Sequence, residues 1–218
     1  MRLHFLLSSN KKPVDFDYQH ALVGVFHYWL GLNDLHNKIS LYSLSWLSCG
    51  KMSKRGFDFP NGADWFVSFY DVEIGKKLIK TAMSNNEVIS GMTVREIQIM
   101  EEPDFGSKER FQAASPILVR KYDENRRATH LTFHDEEADK LMTETMQKKL
   151  QSANLNYDIQ IRFDRSYPNA KTKLVTIKGI ENRANLCPII IEGDPEAIKF
   201  AWNVGIGHST GSGFGAIK

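Results

Sequence analysis

His27, His36 and Lys38 fall within twelve positions of one another. An imidazole titrates near neutral pH and can take a proton from a hydroxyl or return one. A lysine ammonium can steady the charge that builds on a phosphate in a transition state. Helical spacing places His27 and Tyr28 near the end of an expected helix, with His36 and Lys38 just beyond it. A folded-back pair of segments can therefore gather His27, His36 and Lys38 around one point. Imidazole plus cation is enough for acid–base chemistry at a phosphate, including RNA strand scission by the neighbouring 2′-hydroxyl, a group DNA lacks. Taken singly, each of these residues also reads as a polar group at a helix end. None of the seven histidines stands in an HExxH or HxH spacing, so no metal site is expected.

A second feature lies at the far end, where Gly205, Gly207, Gly211, Gly213 and Gly215 fall within eleven positions with no acidic residue among them. His208, Ser209 and Ser212 share the stretch. Asp194 to Asn203 reads as a short helix before it, with Asp194 as cap and Pro195 in the first turn. Phe214 to Ile217 reads as a short strand after it. Glycine costs backbone entropy and returns no packing, so such a loop is expected to let backbone approach something closely, and its amides favour an anion such as phosphate. A flexible tail is the alternative, opposed by the apolar Phe214 and Ile217. The loop is neither a Walker motif, which ends in Gly-Lys-Ser/Thr, nor a dinucleotide fingerprint, which runs from strand to helix.

Charge is modest overall, with a formal net of +2 over 218 residues, so any basic surface must come from local clustering. Three clusters stand out: Lys51, Lys54 and Arg55; Arg120, Lys121, Arg126 and Arg127; and Arg162, Arg165, Lys171, Lys173 and Lys178. The last set is expected to line a hairpin around Pro168 and, with the glycine loop, to form a groove that tracks phosphates. The two cysteines, Cys49 and Cys187, are too far apart in the chain for a zinc motif and suggest a reducing, cytoplasmic setting. No apolar run is long enough for a membrane helix, and Met1 to Leu7 does not read as a secretory leader.

The elements that must position these groups alternate between strands and helices. Leu3 to Leu7 reads as a strand, and a helix capped by Asp17 runs to about Leu30. Ile39 to Leu47 and Ala63 to Tyr70 are expected strands, followed by a helix opened by Asp71. Val88 to Met100 follows as an extended segment with Val94, Ile97 and Ile99 as core candidates. That is the βαββαβ order of a ferredoxin-like domain. The second half repeats it less cleanly: extended residues from Phe111 to Lys121, a long helix from Asp135 to Ala153, strands at 157–163, 173–180 and 187–191, the capped helix and the terminal strand. An α+β chain of two tandem ferredoxin-like domains is expected, covering residues 1–104 and 105–218.

With these elements in place the chain resembles the CRISPR-associated endoribonucleases of the Cas six type, within the repeat-associated RNA-binding superfamily. Gly205 to Gly215 resembles that family's glycine-rich loop between last helix and last strand. Ser115-Pro116-Ile117 resembles its Ser-Pro-Ile strand. Leu22 to Leu30, then Leu35-His36 and Lys38 to Ser43, resembles its first helix and the segment after it. The resemblance implies His36 as general base, His27 as acid at a position that is commonly tyrosine, and Lys38 as support for the scissile phosphate. It implies RNA contacts from Gly205, Gly207, His208, Ser209, Gly211, Gly213, Gly215, Arg162, Arg165, Lys171 and Lys173. The implied reaction is cleavage of precursor CRISPR RNA within its repeats, without metal or cofactor, leaving a 2′,3′-cyclic phosphate and a 5′-hydroxyl. CRISPR repeat RNA is the implied partner, with effector-complex subunits and a second copy of the chain as further candidates. A non-catalytic repeat-binding subunit on the same fold is the alternative.

Overall fold

The computed structural model describes residues 1–32 and 38–218. The first half builds one four-stranded antiparallel sheet from β1 (Arg2–Leu7), β2 (Tyr42–Leu44), β5 (Ala63–Phe69) and β6 (Val94–Met100), ordered β2-β5-β1-β6. Helices α1 (Gln19–Leu30) and α2 (Val72–Ser84) connect them, and a small hairpin, β3 (Lys51–Ser53) with β4 (Gly56–Asp58), is inserted before β5. Successive residues of a strand point to opposite faces. On β1, Leu3, Phe5 and Leu7 are therefore buried in the core that includes the helices' apolar residues Leu22, Phe26, Trp29 and Leu78. Phe5, Trp29 and Trp65 stack in this core with ring centroids 5.1–5.8 Å apart. Asp71 caps α2 by accepting from the Glu73 amide at 2.9 Å, as its sequence position predicts. Ile99, expected in the core, is 61% exposed, because β6 is the sheet's edge strand and its far end is not covered.

The second half contains β7 (Lys108–Phe111), a hairpin of β8 (Val119–Tyr122) with β9 (Ala128–Leu131), α3 (Glu137–Ser152), β10 (Ile159–Phe163), β11 (Lys171–Ile177), β12 (Ile180–Leu186), β13 (Ile189–Gly193) and α4 (Pro195–Val204). Its sheet runs β10-β13-β7, and the terminal segment continues it through backbone bonds between Lys218 and Gln112 and between Ala114 and Ala216. In both halves the order is thus second, third, first, fourth, the ferredoxin-like arrangement twice over. The terminal segment, expected as a short strand, makes a bridge and flanking hydrogen bonds.

One pairing differs from the sequence expectation. β10 and β11 do not form a hairpin around Pro168; β10 pairs with β13, and β11 pairs with β12 across a two-residue turn at Lys178–Gly179. Ile159, Ile161 and Phe163 are buried, so β10 belongs between apolar neighbours, whereas β11 begins with the polar Lys171, Thr172 and Lys173. Between them Asp164 accepts from the amide and hydroxyl of Ser166 and turns the chain locally.

The outer face of β1 meets the second half. Arg2 is 2% exposed, with its guanidinium 3.6 Å from the Trp202 ring and 4.0 Å from that of Phe66. It donates to the carbonyls of Trp202 and Ile217 and to the Ser68 hydroxyl, and burial pulls it down to about 9. A buried guanidinium requires such a full set of acceptors.

Candidate functional site

The first helix presents two stripes. Leu22, Phe26 and Trp29 face the core, while His20, Gly24 and His27 recur at three- and four-residue spacing on its other side. That second stripe walls a pocket of about 420 Å³. Lys38, Ser40 and Tyr42 approach it from the segment entering β2, Lys178 from the β11–β12 turn, and Gly211 and Ser212 from the glycine-rich loop. The structure thus brings His27 and Lys38 to one pocket with the loop. His36 lies outside the described residues.

The helix begins differently from the expectation: Tyr18 occupies the N-cap with no side-chain cap, and Asp17 precedes it. At its end the Gly31 amide donates to the carbonyls of His27 and Tyr28, with Gly31 at φ +63. Tyr28 points out of the pocket, its hydroxyl accepting from the Asn85 side chain at 2.9 Å. The phenol within the pocket is Tyr42, which sequence reasoning read only as a strand residue. Its ring stacks on Phe26 at 4.9 Å, and burial raises its pKa, partly offset by the Ser40 hydroxyl.

The glycine-rich loop is folded onto the protein's own chain. Its one helical turn, Thr210–Ser212, rests on β2 and α1. A Cβ on Gly211 would lie 2.5 Å from the Ser40 hydroxyl and 2.7 Å from that of Tyr42. On Gly205 it would meet Ser43 at 2.7 Å, on Gly207 the Leu118 carbonyl at 2.5 Å, and on Gly215 the carbonyl of Ile206. Close backbone approach is therefore real at these four positions, and the partner is protein. Gly213 has no such neighbour within 3.8 Å. Backbone bonds run from Ile206 to Gly215, from Gly215 to Pro116 and from His208 to Leu118. The buried Ser115 hydroxyl accepts from the Ala216 amide at 2.9 Å. The Ser-Pro-Ile strand and the glycine loop are thus two sides of one seam. Ser212 is the exposed part of the loop, with His208 and Ser209 half-buried.

Two groups hold the loop. Lys149, absent from any sequence-based assignment, is fully buried and donates to the carbonyls of Val204 and Gly205 and to the Thr210 hydroxyl at 3.0–3.1 Å. These three partners are uncharged, and burial brings its ammonium down to about 7. His208 accepts from the Arg120 amide, and burial, reinforced by Arg120, lowers it to about 4, so it is neutral at physiological pH. Arg120 also donates to Ser209 and Asn182, tying the loop to β12.

The remaining basic candidates divide. Arg162 pairs with Glu192 of β13 at 3.4 Å on the outer face of the second sheet, and Arg165 with Asp139 of α3 at 2.6 Å. Lys171 and Lys173 lie on β11, where the Lys173 ammonium sits 5.2 Å from the centre of the Trp46 ring and the Trp46 indole donates to the Gly213 carbonyl. Lys173 is therefore beside the loop and the two arginines are not. Among the described residues no group of three or more His, Cys, Asp or Glu could hold a metal ion, and no helix is long and apolar enough to cross a membrane.

Two ferredoxin-like halves thus meet along a glycine-rich seam. The family model for the C-terminal part of CRISPR-associated protein Cas6 matches residues 100–218, more than half of the chain, and the chain belongs to that family. The fold is similar to that of a solved Cas6-related protein from Pyrococcus furiosus, at TM-score 0.87 and 20% identity over 100% of this chain and 97% of the other. A structure described as an RAMP protein binding different RNA substrates gives 0.84 and 20%, over 100% and 98%. A Cas6 product complex gives 0.70 and 13%, over 99% and 98%. A search of curated protein sequences finds no match.

The seam makes two stability predictions. Gly207→Ala, at φ +74 and with 2.5 Å to a carbonyl, is expected to cost about 2 kcal/mol or more in urea unfolding. Gly24→Ala, in α1 with nothing within 4 Å, should gain about 0.5–1 kcal/mol. Equal effects would show that the loop is not packed as described. For Lys149 the folded value of about 7 lies below the unfolded one, so between pH 7 and about 10.5 the unfolded chain holds the extra proton. Stability contributed by this residue should rise with pH across that window, by at most about 1.4 kcal/mol per unit, and be flat below it. Unfolding of wild type and Lys149→Met compared across pH 6–10 should show that slope in their difference; parallel curves would contradict it.

Proposed function

We propose that this protein cuts precursor CRISPR RNA within its repeats, without metal or cofactor, at the pocket between α1, β2 and the glycine-rich loop. The observation that supports this most is the meeting of His27, Lys38 and Ser212 around one cavity large enough for a nucleotide phosphate. In this reading the 2′-hydroxyl upstream of the scissile bond loses its proton to His36 and attacks phosphorus. The bond from phosphorus to the 5′-oxygen breaks, and His27 donates a proton to that leaving oxygen. Lys38 steadies the charge on the non-bridging oxygens. The products are a 2′,3′-cyclic phosphate and a 5′-hydroxyl.

Residues 1–104 would supply the acid–base groups and residues 105–218 the loop. RNA would pass along the rim of the loop past His208, Ser209 and Ser212, with the buried Gly213 behind it, beside Lys171 and Lys173. Gly205, Gly207, Gly211 and Gly215 would support that rim from below. Arg162 and Arg165, away from the loop, would meet a more distant part of the strand. The setting would be the cytoplasm, with CRISPR effector subunits or a second copy as further partners. A binding-only role on the same fold is favoured by one observation, the likeness to a protein described as an RNA-binding RAMP.

Incubation of labelled repeat RNA in EDTA decides between them. Wild type is expected to make a single cut, which a 2′-deoxy substitution at the cut site abolishes. His27→Ala and His36→Ala should each slow it by about 10²–10⁴-fold. Tight binding by wild type with no cut in any buffer would establish the binding-only role.

A further inference from the structure

The residue at the tip of the β11–β12 hairpin is placed in a way that its local sequence does not favour. Lys178 has φ +50 and Gly179 φ +78, so both central residues of this two-residue turn are left-handed. Hairpin turns of this kind strongly prefer Asn, Asp or Gly at the first position, because a longer side chain gains nothing there and its Cβ is crowded. Lysine is neither small nor able to bond back to the turn. Strain retained at one residue points to use of its side chain.

The hairpin also delivers that side chain to a definite place. Ile177, the preceding residue, packs with the cluster of Leu118, Val175, Ala184 and Phe214, which anchors the strand beside the glycine loop. Lys178 then lines the same pocket as His27, Lys38 and Ser212. It is exposed and makes no ion pair among the described residues. The pocket thus receives one cation from each half of the chain, Lys38 from the segment before β2 and Lys178 from the β11–β12 turn. Among the described residues no carboxylate lines it.

We infer that Lys178 is a second phosphate-binding cation of this site, holding an RNA phosphate within the pocket together with Lys38. The inference deepens the proposed function and rests on it for the identity of the anion. Two lysines from separate segments would hold a phosphodiester and fix its register against the imidazoles, at the expense of an unfavourable turn conformation.

Lys178→Asn separates charge from fold, since asparagine suits the left-handed position and removes the ammonium. The variant should unfold at the same or higher urea concentration than wild type. The slope of log affinity for repeat RNA against log salt should fall by about 0.7–0.9, one phosphate contact. Cleavage at saturating RNA should slow about tenfold or more, and Lys178→Arg should keep most of both. An unchanged salt slope and rate in Lys178→Asn would overturn the inference. The slope is read on binding alone: a wild type that binds but never cuts would sink the nuclease reading, while a fallen slope in the variant would still establish the contact.

Discussion

Backbone packed directly on backbone along the glycine-rich seam is the constraint on which the arrangement of both halves depends. Gly215 sits over the Ile206 carbonyl and Gly207 over that of Leu118, at distances no side chain could tolerate. The amides of Ile206, Gly215 and His208 are taken up by the carbonyls of Gly215, Pro116 and Leu118. A fully buried lysine and a neutral histidine complete the arrangement from below. The loop therefore behaves as rigid architecture, with its exposed rim placed by the core beneath it.

That rigidity has a chemical consequence. The pocket is walled by groups from widely separated parts of the chain: a stripe of α1, the entry to β2, the β11–β12 turn and the loop. Acid–base catalysis needs its groups held near a productive geometry. Here α1 fixes the His27 stripe through Phe26 and Trp29 on its inner side, while Gly211 sets the loop against Ser40 and Tyr42. Arg2, buried between Phe66 and Trp202 and bonded to the Trp202 and Ile217 carbonyls, fixes the first sheet against α4 and the terminal segment. The two halves thus meet as packed surfaces, which is what a site assembled from both requires.

The order of strands and helices was legible because local patterns carried it: the alternation of Leu3, Phe5 and Leu7, the cap at Asp71, and the spacing of Ala138, Met142, Met146 and Leu150 on α3. Pairing partners were less so. The β11–β12 hairpin is set by two left-handed residues at Lys178–Gly179, and lysine gives no turn signal, whereas Pro168-Asn169 gives a strong one and closes no hairpin. The meeting of His27 with Lys38 followed from their closeness in the chain. Tyr42 and Lys178 come to the same pocket, and Lys149 to the loop beneath it, through tertiary contacts spanning tens of residues. No spacing within a single segment announces them. The glycines signalled close approach correctly but could not say that the thing approached was the chain itself.

The most direct test of the central claim is a crystal structure with repeat RNA made inert by a 2′-deoxy nucleotide at the cut site. The phosphate following that nucleotide should lie in the α1–loop pocket, within hydrogen-bonding reach of the His27 imidazole and the Lys38 ammonium and beneath Ser212. An ordered RNA whose scissile phosphate lies on another surface, with this pocket empty, would contradict the assignment.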